Sequence, residues 1–472
     1  MSPGGQGRVA AVRDLAPILK AYDIRGVVPD ELDDETARAI GWAAAHVLAG
    51  GSGALVVGHD MRPTSPQLAA AFADGVTAAG VDVVMAGLTS TDQLYYASGA
   101  LGLPGAMFTA SHNPARYNGI KLCRAGAAPV GYDTGLSEIQ ALIGDGVDSP
   151  VAARGRVEHR DTLRDYAAHL HSLVDVTGGR PLTVVVDAGN GMAGHTVPAV
   201  LDLPGLTVVP LYFELDGTFP NHEANPIDPA NLVDLQAAVR EHGADLGLAF
   251  DGDADRCFVV DDRGEPVSPS ALTALIAVRE LERSPGARVV HNLITSKAVP
   301  EIIAEHGGTP VRTRVGHSLI KQTMAETGAV FGGEHSGHFY FRDFWRADSG
   351  MLAALHTLAA LRADAAGRPL SQLLAPYERY VASGEINSTV DDAEAVTARV
   401  EEAFGKAPDV VTDQLDGLTV EFTGTPMWWF NLRPSNTEPL LRLNVEGADR
   451  AVMERVRDDV LRVVRGTGEG AA

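Results

Sequence analysis

Three times along this chain a short β-branched run ends in a turn that leads into sequence of helical character. Ala54-Leu55-Val56-Val57-Gly58 meets a turn at residues 60–63 and then an Ala-rich stretch at 65–79. Leu182-Thr183-Val184-Val185-Val186 meets Asp187-Ala188-Gly189-Asn190-Gly191, and Arg288-Val289-Val290-His291-Asn292 leads to a helical stretch at 296–305. Strand, turn and helix in that order confine the chain to α/β architecture with mixed or mostly parallel sheets. The residues barely repeat, so three similar domains are one reading of these three entries. At 472 residues the chain is too long for a single core. Polar, Gly/Pro-rich stretches near 144–155, 261–268 and 375–384 suggest breaks. They divide the chain into 1–155, 156–262, 263–376 and 377–472.

The last segment has its own pattern. Strand-like runs at 385–390, 418–422, 428–432 and 440–445 accompany helical stretches at 393–404 and 449–464, which describes a small α+β domain. Residues 465–472 read as a frayed end.

A net charge of −23 argues against a nucleic-acid surface, which needs clustered Lys and Arg. It leaves room for small phosphorylated ligands, which need only a local group of cations. The two cysteines, Cys123 and Cys257, cannot form a disulfide framework for a chain of this size, and a reducing, cytoplasmic compartment is expected. No run approaches the eighteen apolar residues of a membrane span, and residues 1–7 lack the apolar region of a signal peptide.

Four motifs carry chemistry. Thr109-Ala110-Ser111-His112-Asn113-Pro114 displays one hydroxyl on a turn that Asn113-Pro114 forces, with the cation Lys121 ten residues on, as suits a covalent phosphoryl carrier. Asp251-Gly252-Asp253-Ala254-Asp255-Arg256 places three carboxylates at i, i+2 and i+4. They read either as a solvated acidic turn or as ligands for one hard cation. A calcium loop of the EF-hand type is excluded, because its glycine and glutamate positions hold Arg256 and Asp262. Mg²⁺ shared with a phosphate fits better, and Arg256 can neutralise that phosphate. Gly333-Glu334-His335-Ser336-Gly337-His338 suits sugar hydroxyls, or a polar capping loop. Arg433-Pro434-Ser435-Asn436-Thr437-Glu438-Pro439 suits a phosphate nest; an Asx/ST turn accounts for Ser-Asn-Thr but not for the Arg. Two weaker segments are Tyr22-Asp23-Ile24-Arg25-Gly26 and Arg314-Val315-Gly316-His317-Ser318. Read alone, they are a structural salt bridge and a structural histidine.

As an ordered set, these motifs resemble the α-D-phosphohexomutase superfamily, in particular its bacterial phosphomannomutase/phosphoglucomutase group, over residues 20–445. The resemblance implies three related α/β domains with mixed sheets and a C-terminal α+β domain of the TATA-box-binding-protein-like type, around a central cleft. It implies Ser111 as the phosphoserine, and Asp251, Asp253 and Asp255 as ligands of Mg²⁺ together with the serine's phosphate. Lys121 and Arg25 would assist proton transfer beside His112 and Arg256. Tyr22, His317, Glu334, Ser336 and His338 would bind the sugar, and Arg433, Ser435, Asn436 and Thr437 its non-reacting phosphate.

The implied reaction interconverts hexose 6-phosphate and hexose 1-phosphate, of mannose or glucose, through a hexose 1,6-bisphosphate. The alternative is a phosphoglucosamine mutase, from which this reading differs largely in His335. A non-catalytic sugar-phosphate-binding protein is a further alternative, although every expected serine and aspartate is present. Some family members carry a Lys near the segment equivalent to Asn292-Leu293-Ile294. This chain does not, and neither Lys297 nor Arg314 is assigned its role. The partners expected are small-molecule hexose phosphates, with no nucleic acid and no membrane; the sequence leaves oligomeric state open.

Overall fold

The computed structural model describes residues 14–51, 53–146, 153–434 and 440–466. The expected frayed end lies largely outside them, as do Ser435, Asn436 and Thr437.

Three of the four sheets share one plan. In domain 1 the strands lie in the order Asp82–Leu88, Ala54–His59, Gly105–Phe108, Tyr117–Arg124. The first three are parallel and the last is antiparallel. Domain 2 repeats this with Leu206–Leu211, Leu182–Asp187, Leu246–Phe250 and Cys257–Val260. Domain 3 repeats it with Thr309–Thr313, Arg288–Asn292, Phe331–Gly333 and Phe339–Phe341. In chain order each sheet runs 2-1-3-4, so three segments with little shared sequence have the same topology. Central strands such as Leu182–Asp187, with Val184, Val185 and Val186 all buried, are apolar on both faces because both faces are covered.

The hairpin between the third and fourth strands of each sheet carries a motif. Ser111 follows Phe108, the aspartates follow Phe250, and Glu334 follows Gly333. The fourth domain is an antiparallel sheet in the order Val381–Thr389, Leu440–Gly447, Trp428–Pro434, Leu418–Phe422, Val410–Asp413. The helices Ala393–Phe404 and Arg450–Arg465 pack on it around Phe430, Leu432 and Leu443.

Several boundaries differ from the sequence reading. Strand Val157–His159 falls beyond the expected break at 155 yet pairs with Asp82–Leu88 in the domain 1 sheet. Strand Val381–Thr389 starts four residues earlier than the sequence pattern, because a register shift between Ala382 and Glu385 lets Val381 still pair with Gly447. The helix expected from 296 starts at Ala298, whose N–H donates to Ser296 Oγ. Asp449 is the N-cap of the last helix, accepting from Val452 N.

One apolar core runs through domains 2 and 3, whereas domain 4 has its own. Among the described residues no helix is long and apolar enough to cross a membrane. Both cysteines are buried and unpaired.

Candidate active site

Ser111 lies at the tip of the domain 1 hairpin with φ +50°, a left-handed backbone that a non-glycine residue holds only where its surroundings enforce it. Its N–H donates to Thr109 Oγ1 at 2.9 Å. Its hydroxyl donates to Asp251 Oδ2 at 2.7 Å, across the domain 1–domain 2 boundary. The two loops touch at backbone level: a Cβ on Gly252 would lie 2.4 Å from the Ser111 carbonyl oxygen. Only glycine permits this approach.

Asp251, Asp253 and Asp255 are buried, and each offers a carboxylate oxygen within 4.8 Å of the others. Lys121 Nζ donates to Asp253 Oδ2 at 2.7 Å and to Asp255 Oδ2 at 2.6 Å. Arg256 Nε donates to Asp251 Oδ2 at 2.8 Å. Burial, reinforced by Asp255 and Asp253, pushes the Asp251 carboxyl up to about 7 despite Arg256. Burial also opposes ionisation of Asp253, but the Lys121 charge and hydrogen bonds from Lys121 and Thr91 outweigh it and hold that carboxyl well below the usual range. Burial disfavours the Lys121 ammonium, yet Asp253 and Asp255 keep it firmly protonated.

The outer oxygens Asp253 Oδ1 and Asp255 Oδ1 are buried without a hydrogen-bond partner. Three converging carboxylates, two with a buried oxygen that accepts no hydrogen bond (His338 Nε2 stands 3.6 Å from Asp255 Oδ1), and a serine oxygen on the third make a donor set that suits a hard divalent cation.

His112 is depressed to about 2, first by burial and then by Arg256 and Arg25, so its ring is neutral. Arg256 Nη2 donates to His112 Nδ1 at 2.5 Å, and guanidinium can only donate, so the ring proton belongs on Nε2. Arg25 Nη1 donates to Asn113 Oδ1 at 2.5 Å, tying strand Ile24–Val27, which pairs with Tyr117–Arg124, to the serine loop.

One cavity is lined by Tyr22, Arg25, Ser111, His112, Lys121, Asp255, Arg256 and His338, which the sequence had singled out. Glu334 and Ser336 flank it through His338, whose Nδ1 is 3.0 Å from Ser336 Oγ and 3.7 Å from Glu334 Oε2. Glu334 also accepts from the Tyr340 hydroxyl at 2.7 Å. The aspartate and Glu-His-Ser loops join along the backbone, Cys257 N donating to Gly337 O at 3.2 Å. Arg433 Nη2 donates to Glu385 Oε2 at 3.0 Å within domain 4. His317 opens the helix His317–Thr327 behind Gly316, where a Cβ would lie 2.9 Å from the Tyr22 hydroxyl. Burial pushes His335 down to about 4, with the Arg433 charge adding to it. Lys297 is turned toward domain 4, its ammonium paired with Glu421 and its N–H donating to Glu446, while Arg314 is exposed.

Sequence reasoning missed several residues. Tyr95, Lys321 and Asp348 line the same cavity; Lys321 pairs with Asp348 at 2.6 Å over the Tyr95 ring. Thr91 donates to Asp253 twice, from its N–H to the carbonyl at 3.0 Å and from its hydroxyl to Oδ2 at 2.6 Å. Nothing in the local sequence of Thr91 announces that contact, since its partner lies 162 positions away.

Family models describing phosphoglucomutase/phosphomannomutase match the chain four times in succession. The α/β/α domains I, II and III match residues 16–146, 164–264 and 268–380, and the C-terminal domain matches 385–463. The chain belongs to the phosphoglucomutase/phosphomannomutase family. It is 43% identical over 458 residues to a protein of Xanthomonas campestris pv. campestris described as phosphohexose mutases, covering 95% of this chain and 99% of that one. It is 40% identical to a phosphomannomutase of Escherichia coli, with 94% and 98% covered. The crystal structure of a phosphoglucomutase/phosphomannomutase family protein from Burkholderia thailandensis superposes with a TM-score of 0.85 at 35% identity, covering 96% of this chain and 98% of that one. Membership puts this chain in the phosphohexomutase class of isomerases.

Proposed function

We propose that the protein interconverts the 6-phosphate and 1-phosphate of mannose, glucose or both, carrying a phosphoryl group on Ser111. The observation that carries this reading is the Ser111 hydroxyl, held 2.7 Å from a carboxylate of a buried three-aspartate cluster with Arg256 alongside. In the first transfer the P–O bond to Ser111 breaks as one forms to the free sugar hydroxyl, whose proton passes to the departing Ser111 oxygen. The resulting hexose 1,6-bisphosphate turns over within the cleft. The other phosphoryl group then returns to Ser111, whose hydroxyl proton passes to the sugar oxygen left behind.

Asp251, Asp253 and Asp255 would hold Mg²⁺, which supplies charge neutralisation for the transferring group. Arg256 adds a fork of donors beside Ser111, and the neutral His112 ring orients it by accepting at Nδ1. Lys121, kept protonated between two aspartates, and Arg25 assist that proton transfer as cations that steady the charge on the exchanging oxygens. Glu334, Ser336 and His338, with Tyr22 and His317, bind the sugar. Arg433, with Ser435, Asn436 and Thr437, grips the phosphate that does not react. The mannose or glucose assignment draws on the names of the relatives.

Two measurements test the reading. Incubation with glucose 1,6-bisphosphate should add one phosphoryl mass to the wild-type chain and none to Ser111→Ala, which should also lose multiple-turnover activity. Near-normal turnover by that variant would sink the covalent scheme. Comparing kcat/KM for the 1-phosphates of mannose, glucose and glucosamine assigns the sugar.

A further inference from the structure

Arg62 is a fully buried guanidinium that no step of the proposed chemistry uses. It stands just after strand Ala54–His59, and both terminal nitrogens point into the serine loop. Nη2 donates to the carbonyls of Ser111 at 2.8 Å and Asn113 at 2.6 Å. Nη1 donates to the carbonyls of Pro114 and Tyr117, each at 3.0 Å. Nε faces Asp60 Oδ2 at 3.2 Å. Asp60 is itself buried and accepts from Arg62 N and Ser65 Oγ. From domain 2, Phe219 lies against the guanidinium, 5.2 Å from ring centre to Cζ.

Pro114 O also accepts from Tyr117 N at 2.9 Å and Tyr117 begins a paired strand, but Ser111 and Asn113 lie outside the ladder and their carbonyls depend on Arg62. Left alone, a left-handed serine costs about 1–2 kcal/mol and reverts to commoner backbone angles. A planar guanidinium offers its donors in a fixed fork, and here four of them pin four carbonyls at once. A lysine ammonium carries the same charge but has three rotatable donors and no fixed plane. The cation also offsets the negative ends of carbonyl dipoles gathered behind a serine that is to bear a dianionic phosphate.

We infer that Arg62 is a positioning residue for phosphoryl transfer. It fixes the backbone of the serine loop so that Ser111 Oγ stays against Asp251 and Arg256, and Phe219 makes that fixation depend on domain 2. The inference rests on Ser111 as the phosphoryl carrier.

The test compares wild type, Arg62→Lys and Phe219→Leu by steady-state kinetics, by the rate of Ser111 phosphorylation from glucose 1,6-bisphosphate followed by intact mass, and by hydrogen exchange of the amides in residues 111–118. Melting curves confirm that each variant is folded. In Arg62→Lys, kcat and the phosphorylation rate should both fall by about 100-fold, the scale of a displaced reacting group. KM should move by less than about threefold, since the sugar and phosphate contacts lie elsewhere. The loop amides should exchange faster. Phe219→Leu should shift the same readouts in the same direction by less.

A folded Arg62→Lys with wild-type phosphorylation rate and loop exchange overturns the inference. If that variant does not fold, Phe219→Leu decides, and wild-type values there overturn it equally. If the wild type itself gains no phosphoryl mass, the carrier reading fails, while unchanged loop exchange in the variants would separately refute the clamp.

Discussion

Asp92 offers the sharpest physical test, because three domains meet on its carboxylate. It lies in the first turn of helix Thr91–Leu101 and is 1% exposed. Its Oδ1 accepts from Ser90 Oγ at 2.5 Å. Its Oδ2 accepts from the Tyr166 hydroxyl of domain 2 at 2.6 Å and from Ser349 Oγ of domain 3 at 2.7 Å. Burial raises the carboxyl from 3.8 to about 6; the three hydrogen bonds pull it down without cancelling that, and the nearby Asp255 charge adds to the rise.

A shift of about 2 units corresponds to about 3 kcal/mol at 1.36 kcal/mol per unit. The native state binds this proton more tightly than the unfolded chain. The resulting stabilisation is therefore complete below about pH 4 and lost as pH rises through about 6. Asp92→Asn keeps the shape and does not titrate. Its carbonyl oxygen can still accept from Tyr166 and Ser349, while its NH₂ turns to Ser90 Oγ. Relative to wild type, the variant should gain about 3 kcal/mol between pH 4 and pH 7, which is on the order of 6 °C in a large melting unit. Calorimetric melts of both proteins at half-unit pH steps measure the difference. A difference that stays constant with pH, or moves toward the wild type as pH rises, refutes the reasoning.

Two further outcomes follow from contacts at the aspartate loop. Thr91→Val removes the hydroxyl that orients Asp253 and should weaken Mg²⁺ binding by about 10-fold or more, with Thr91→Ser restoring it. Mn²⁺ titration followed by electron paramagnetic resonance reads this without turnover, and equal affinities would rule the contact out as an orienting one. Gly252→Ala places a methyl group against the Ser111 carbonyl, so the two loops must separate. Phosphorylation of Ser111 should fall steeply in this variant while domain 2 stays folded by circular dichroism; an unimpaired rate would show that the close approach is dispensable.

The groups that converge on the cavity were legible in the chain because each motif is contiguous. The serine turn, the alternating aspartates and the Glu-His-Ser loop each place their groups within a few residues, and the hairpins hold them in that order. The α/β class was legible for the same reason: a β-branched run followed by a turn and a helix is a local pattern. Strand ends were less so. Val157–His159 and the start of Val381–Thr389 form where a neighbouring strand offers a ladder, which depends on residues far along the chain.

Tertiary structure alone decided what lies between the motifs. Thr91, Asp92 and Arg62 are short or ordinary stretches of sequence, and their partners Asp253, Tyr166, Ser349 and the serine-loop carbonyls come from distant segments. The shared 2-1-3-4 order of three sheets with little sequence in common belongs here as well. Packing tolerates many apolar residues in a strand, so topology persists where sequence does not. A buried polar contact, by contrast, is specified only when both partners are brought together. The sequence by itself determined which polar groups each loop presents; the fold determined which buried side chains hold those loops against one another.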